Sequence, residues 1–160
     1  MNPQNRKYFA IIVQYGNPDH TEKALRSIKS GNTPPDKTII IDQGKEPLSH
    51  PEYPQCKTIR RKENLGYSAA INTGLGVLAS LGATDNDIVI IMNNDVEPLP
   101  DTFNQIRQWC QSNPGDAVVG VSIQERNKNL SGYGLVNLLN GRSSLLSETS
   151  KAFPQNASTP

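Results

Sequence analysis

A chain of 160 residues with 35% hydrophobic composition has enough apolar material for one buried core and too little for a second of similar size. Sixteen basic against fifteen acidic residues leave a formal charge of +1, so no global field draws a polyanion and nucleic acid is not implied as a partner. The two cysteines lie outside any CxxC or CxxH pattern, which excludes a disulfide framework or a cysteine-rich zinc site and points to a cytoplasmic chain.

The opening "MNPQNRKYFAIIVQY" has a basic start and an apolar run, but the run is short, contains Gln14 and lacks a small-residue cleavage pattern. It reads as a first strand over residues 8 to 14 rather than as a signal peptide, and no run approaches the roughly 18 apolar residues of a membrane span. A polar turn at "YGNPD" follows, with Asp19 placed to cap a helix whose stripe is Ala24, Leu25 and Ile28. Glycine and two prolines in "SGNTPPD" stop that helix. "KTIIIDQG" is a β-branched strand ending at Asp42, with Gly44 opening the next turn, and together these elements make a βαβ beginning.

After a proline-containing excursion at residues 47 to 54, "CKTIRR" reads as a short strand and "KENLGYS" as a loop into a second helix. Tyr67, Ile71, Leu75 and Leu78 recur at helical spacing, while Gly74 and Gly76 weaken helicity but permit close approach of another backbone. "DIVIIMN" reads as the central strand, because Ile88 through Met92 is continuously apolar, as expected when helices cover both faces of a sheet. The next helix, "DTFNQIRQWCQS", has Asp101 as its cap and Phe103, Ile106, Trp109 and Cys110 to pack inward. "AVVGVSIQ", residues 117 to 124, supplies one more strand; beyond it the period is lost, and a loop, a short strand or helix and a frayed polar tail are expected. Strands alternating with helical patterns predict a mostly parallel, doubly wound α/β sheet with helices on both faces, over a core of residues 1 to 124 and a short C-terminal extension, 125 to 160.

In such a sheet, ligands occupy the crevice at the carboxyl ends of the strands. Three polar clusters fall there: Gln14 to Asn17, Asp42 to Gly44, and Asn93 to Glu97. In extended geometry Asn93 and Asp95 share a face and Asn94 points away. That pair presents oxygens to Mg²⁺ or Mn²⁺ or to a bound sugar; with a single anion, a hard cation needs diphosphate oxygens to complete its shell. The same "NND" also reads as an Asx-rich turn before Pro98 with no ligand at all, Asp42 as an acid that only orients its loop, and "ENLGYS" as a tight turn around Gly66. The basic run Lys57, Arg60, Arg61 and Lys62 reads as a solvated face or as a phosphate contact next to Asn64. His20 and His50 read as solvent-facing or loop residues. Neither GxGxxG nor GxxxxGK[ST] spacing occurs, and no GxSxG elbow or Cys–His pair supports nucleophilic catalysis.

Four blocks in order, "IIVQYGNPDHTEKALRSI", "IIIDQG", "ENLGYSAAINTGL" and "IIMNNDVEP", resemble the nucleotide-sugar-binding half of inverting family 2 glycosyltransferases with the Rossmann-like GT-A fold, in particular the bacterial rhamnosyltransferase-like branch. The likeness covers residues 8 to 124. It implies that Tyr15 borders the nucleotide base, that Asp42 binds the uracil or thymine ring or its ribose, and that Asn64 with the Gly66 loop lies by the nucleotide and diphosphate. Asn93, Asn94 and Asp95 match the acidic motif that meets the sugar nucleotide, with Asp95 engaging the metal, Mg²⁺ or Mn²⁺. The implied reaction moves a sugar from a UDP- or dTDP-linked donor to a hydroxyl acceptor, a glycan or lipid-linked saccharide, with inversion, in polysaccharide biosynthesis. Members usually continue into an acceptor-binding region that carries the base. Here Glu125 and Glu148 match no catalytic motif, so the chain reads as truncated, as dependent on a homodimer or partner subunit, or as an inactive nucleotide-sugar-binding or protein-interaction module.

Overall fold

The computed structural model describes residues 6–48, 55–113 and 120–121, and four short strands beyond them. The chain divides into two compact units, Met1–Pro114 and Gly115–Pro160.

The first unit is a four-stranded parallel sheet in the order β3-β2-β1-β4, with β1 at Tyr8–Gln14, β2 at Lys37–Asp42, β3 at Cys56–Arg60 and β4 at Ile88–Asn93. All seven residues of β1 are buried, because neighbouring strands flank it and helices cover both faces. Ile11, Ile12, Ile39, Ile40 and Ile41 are wholly buried, each stabilising the fold by about 1.5–3 kcal/mol relative to an exposed side chain. Alternation along β1 and β2 sends Ile11 and Ile39 to one core and Ile12 and Ile40 to the other.

Helix α1, Pro18–Ser30, packs on the second of these cores through Leu25 and Ile28. Its cap is Asn17 rather than Asp19: the Asn17 side chain accepts a hydrogen bond from the Asp19 amide at 3.0 Å, with Pro18 in the first turn. The structure thus moves the cap two residues upstream of the sequence expectation. Proline suits the first helical turn, where its missing N–H has no intrahelical acceptor to serve.

Helix α2, Tyr67–Ser80, covers β1 and β2 on the opposite face. Its buried stripe is Ala70, Gly74 and Leu78, with Ile71 and Val77 beside it, while the expected contacts Tyr67 and Leu75 are exposed. The stripe turns toward the small residues because Gly74 lies against Ile11, where an added Cβ would stand 2.9 Å from Ile11 Cγ2. Gly76 faces open space.

Strand β4 is not central. Among the described residues it pairs only with β1 and lies at the end of the sheet. Ile90 and Met92 reach the α1 core, but Ile91 is 49% exposed, since α2 sits over β1 and β2. Helix α3, Thr102–Ser112, buries Phe103 and Cys110 but leaves Trp109 exposed, contrary to the expectation that all its aromatics pack inward. Asp101 stands at its cap position without capping the backbone; its carboxylate instead accepts from Asn104 Nδ2 at 3.0 Å and Gln105 Nε2 at 3.3 Å. Arg107 of α3 stacks on Tyr8, 4.1 Å from the ring centroid, and donates to the Pro34 carbonyl at 3.0 Å. That clamp secures the amino end of the sheet and leaves its carboxyl end to the loops.

In the second unit, β5 (Ile123–Glu125) pairs antiparallel with β6 (Lys128–Leu130), and β7 (Gly134–Val136) with β8 (Ser143–Leu145). Of the expected strand over 117 to 124, Gly120 and Val121 are not in a strand and Ile123 and Gln124 begin a hairpin; 117–119 and 122 lie outside the described residues. The readings of His50 and Glu148 lie outside the described residues.

Candidate functional site

The chain runs outward from β1 to β2 to β3, then crosses back to place β4 on the other side of β1. A reversal of strand order opens a crevice at the carboxyl ends of the adjoining strands. Register brings Gln14 opposite Asp42, Asp42 opposite Arg60, and Val13 opposite Asn93. Three of the clusters expected from sequence therefore meet at one edge.

Asp42 is 1% exposed, and its carboxylate is fully engaged. Oδ1 accepts from Arg60 Nη1 at 2.8 Å and the Gly44 amide at 2.9 Å, and Oδ2 from the Leu48 amide at 3.2 Å. Arg60 also donates through Nη2 to the Lys45 carbonyl at 3.2 Å, so one guanidinium binds both the acid and the loop folded over it. Gly44 suits the bend: a Cβ there would meet the Glu46 carbonyl oxygen at 3.1 Å and Asp42 Oδ1 at 3.2 Å.

Tyr15, 57% exposed, lines a cleft of about 400 Å³ with Gly16, Asn17, Pro18, Lys45 and Glu46. A smaller, more open recess of about 250 Å³ is lined by Arg60, Arg61, Lys62, Glu63 and Leu65. The basic run is thus divided, with Lys57 exposed on β3 and the other three cations around this recess. Asn64 is exposed and accepts from the Gly66 amide at 2.9 Å, closing an Asx turn. Gly66, with φ +86°, is the N-cap residue of α2 and supplies no side chain to cap it. Gln43 joins this loop to β2 by accepting from the Leu65 amide at 3.0 Å.

At the end of β4 the extended geometry stops. Asn94 and Asp95 form a turn, in which the Val96 amide reaches the Asn93 carbonyl at 3.4 Å, so strand alternation does not govern where Asp95 points. Asn93 and Asp95 are exposed; Asn94 is half-buried and donates to Gln14 Oε1 at 2.9 Å and to the Tyr15 carbonyl at 3.4 Å. The Asp95 carboxylate has no partner among the described residues, which also contain no group of three or more His, Cys, Asp or Glu side chains able to hold a metal. One free carboxylate beside a neutral amide fits a hard cation only where substrate phosphates supply other ligands.

Sequence reasoning placed Gln14 in the first cluster but gave it no role, and it missed Arg60 as the partner of Asp42. A polar residue ending the apolar run "YFAIIV" is the signal that points to the first. The second needs the register of β2 and β3.

Residues 9–149 match the family described as Glycosyl transferase family 2. The chain belongs to that family. A solved structure, mannosyltransferase PcManGT from Pyrobaculum calidifontis in complex with GDP-Man and Mn²⁺, aligns with this glycosyl transferase family 2 chain at a TM-score of 0.55 and 24% sequence identity. The alignment covers 78% of this chain and 37% of that one. No curated protein matches. The likeness is one of fold: a mostly parallel sheet with flanking helices, the Rossmann-like nucleotide-binding arrangement of GT-A enzymes. Among the described residues no helix is long and apolar enough to cross a membrane.

Proposed function

We propose that this family 2 chain is the donor-binding part of a rhamnosyltransferase-like enzyme, taking a UDP- or dTDP-linked sugar with Mg²⁺ or Mn²⁺ for inverting transfer to a hydroxyl acceptor on a glycan or lipid-linked saccharide. The observation that carries the reading is the convergence of Tyr15, the Asp42–Arg60 pair and the Asn93–Asp95 turn at the carboxyl edge of one parallel sheet. In this reading Tyr15 stacks beside the base in the cleft it shares with Lys45. Asn64 and the Gly66 loop border the diphosphate, with the cations Arg61 and Lys62 adjacent in sequence. Asp95 and the Asn93 amide hold the metal, which when bound offsets charge on the departing diphosphate. Asp42, already satisfied, acts through the loop it anchors, shaping the wall of the cleft at Lys45 and Glu46. No base is assigned, and the acceptor reaction belongs to residues or a partner beyond this edge.

A second reading is a nucleotide-sugar-binding module without turnover in the cytoplasm. It is favoured by the burial of Asp42 behind its loop and by a turn that offers one acid.

Calorimetric titration with UDP, dTDP and GDP, each with and without Mn²⁺, tests the shared core of both readings. Uptake of one nucleotide that tightens with Mn²⁺ and loses that increment in Asp95→Ala is the expected result; no uptake, or an unchanged increment in the variant, overturns it. GDP is included because the mannosyltransferase of similar fold was solved with GDP-Man. Sugar release from the matching nucleotide sugar then separates enzyme from module.

A further inference from the structure

Gln14 is the last residue of β1, is 0% exposed, and follows six apolar or aromatic residues. Packing alone would be met by another β-branched residue there. Its amide instead meets polar groups from several segments. Nε2 donates to the Gly16 carbonyl at 3.2 Å, and Oε1 accepts from the Thr21 hydroxyl of α1 and from Asn94 Nδ2 at 2.9 Å. The loop after β2 passes close by, since a Cβ added to Gly44 would lie 3.3 Å from Nε2.

These bonds have one consistent orientation. A carbonyl only accepts, so Gly16 requires Nε2 on its side and turns Oε1 toward Asn94. Asn94 must then present Nδ2, which the Tyr15 carbonyl at 3.4 Å requires independently. Asn94 Oδ1 keeps no partner among the described residues.

We propose that Gln14 is a positioning residue for the metal-bearing turn: by holding Asn94 Nδ2 inward, it fixes where Asn93 and Asp95 stand beside the Tyr15 cleft. The inference rests on the donor-site reading above and adds to it a specific electrostatic constraint. The middle position of the turn must be a hydrogen-bond donor toward β1. An added carboxylate at position 94 would face Gln14 Oε1 and the Tyr15 carbonyl, two acceptors, and would swing the turn away. Charge gained there is lost as geometry.

The test is Mn²⁺ titration into the full chain saturated with UDP, with UDP titration lacking metal as the control. Gln14→Leu and Asn94→Ala should each weaken Mn²⁺ binding about tenfold, the size of one ordinary hydrogen bond, and Gln14→Leu should leave metal-free UDP affinity within about twofold. Combined, they should be no worse than the weaker single variant, because both break one link. Asn94→Asp should weaken Mn²⁺ binding while Asn93→Asp, with the same added charge one residue away, should not. Wild-type Mn²⁺ affinity in Gln14→Leu, additive losses in the double variant, or tighter binding in Asn94→Asp overturns the proposal. If Gln14→Leu fails to fold, the two position-94 variants decide. Amide hydrogen exchange at Val96 supplies a readout that needs no ligand: faster exchange in Asn94→Ala supports the clamp and unchanged exchange overturns it, even where wild type takes up no nucleotide and the donor-site reading itself falls.

Discussion

Arg60 and Asp42 stand opposite one another in the register of β3 and β2, and the guanidinium meets the carboxylate at 2.8 Å although Asp42 is almost wholly buried and Arg60 is not. The asymmetry decides what each side chain is worth. The acid has left water and depends on its donors; the cation, partly solvated, loses little when the pair is broken.

Replacing Arg60 with Ala should therefore destabilise the protein by about 1–3 kcal/mol, since a buried carboxylate loses its charged donor. Arg60→Ala combined with Asp42→Asn should cost less than the sum of the two. Urea unfolding of the four proteins of the cycle measures the coupling; strict additivity would show that the pair contributes nothing beyond its separate residues.

Two glycines of α2 should respond in opposite directions to the same substitution. Gly74→Ala drives a methyl to 2.9 Å from Ile11 Cγ2 and should cost about 1–3 kcal/mol through overpacking. Gly76→Ala enters open space and should stabilise by about 0.5–1 kcal/mol through helix propensity. Denaturant midpoints at constant slope distinguish the two.

The cysteines should be inert in the folded protein. Burial pushes the Cys56 thiol up to about 12, and burial likewise raises Cys110, so thiolate is scarce at neutral pH. Alkylation at pH 8 should be slow until denaturant is added, after which both free thiols react. The sign of the linkage follows: the folded state keeps the Cys56 proton that the unfolded chain releases, so this contribution to stability is full below about pH 8.5 and is lost as pH rises toward 12. Cys56→Ala should flatten the alkaline decline in unfolding free energy.

Local pattern carried the elements well. The β-branched runs at Tyr8–Gln14 and Lys37–Asp42 have the bounds that their pattern predicts, and the helical spacing from Tyr67 to Leu78 falls within α2, Tyr67–Ser80. Position within the sheet was not legible in the same way. Ile88 to Met92 is apolar enough for a strand covered on both faces, yet Ile91 is half exposed, because burial depends on where α2 crosses and not on the strand's own residues. Helix faces failed for a related reason, as small side chains at Ala70 and Gly74 permit a closer approach than Tyr67 or Leu75. In the site, residue types placed the polar clusters at strand ends, while the bonds that organise them join positions 80 and 18 residues apart, Gln14 with Asn94 and Asp42 with Arg60. Such partners are set by register, which no short window contains.

The strand order has a consequence for synthesis. Strand β1 leaves the ribosome first, gains β2 after residue 37, and receives its second neighbour only when residues 88 to 93 have emerged. Through that interval one edge of a strand that is apolar in all but its last residue has no pairing partner, a state open to association with other nascent chains. The return of β4 closes that edge and brings Asn94 to Gln14 in a single event. Formation of the Gln14–Asn94 contact and closure of the open edge are therefore the same folding step, and a chain stalled before residue 93 would lack both.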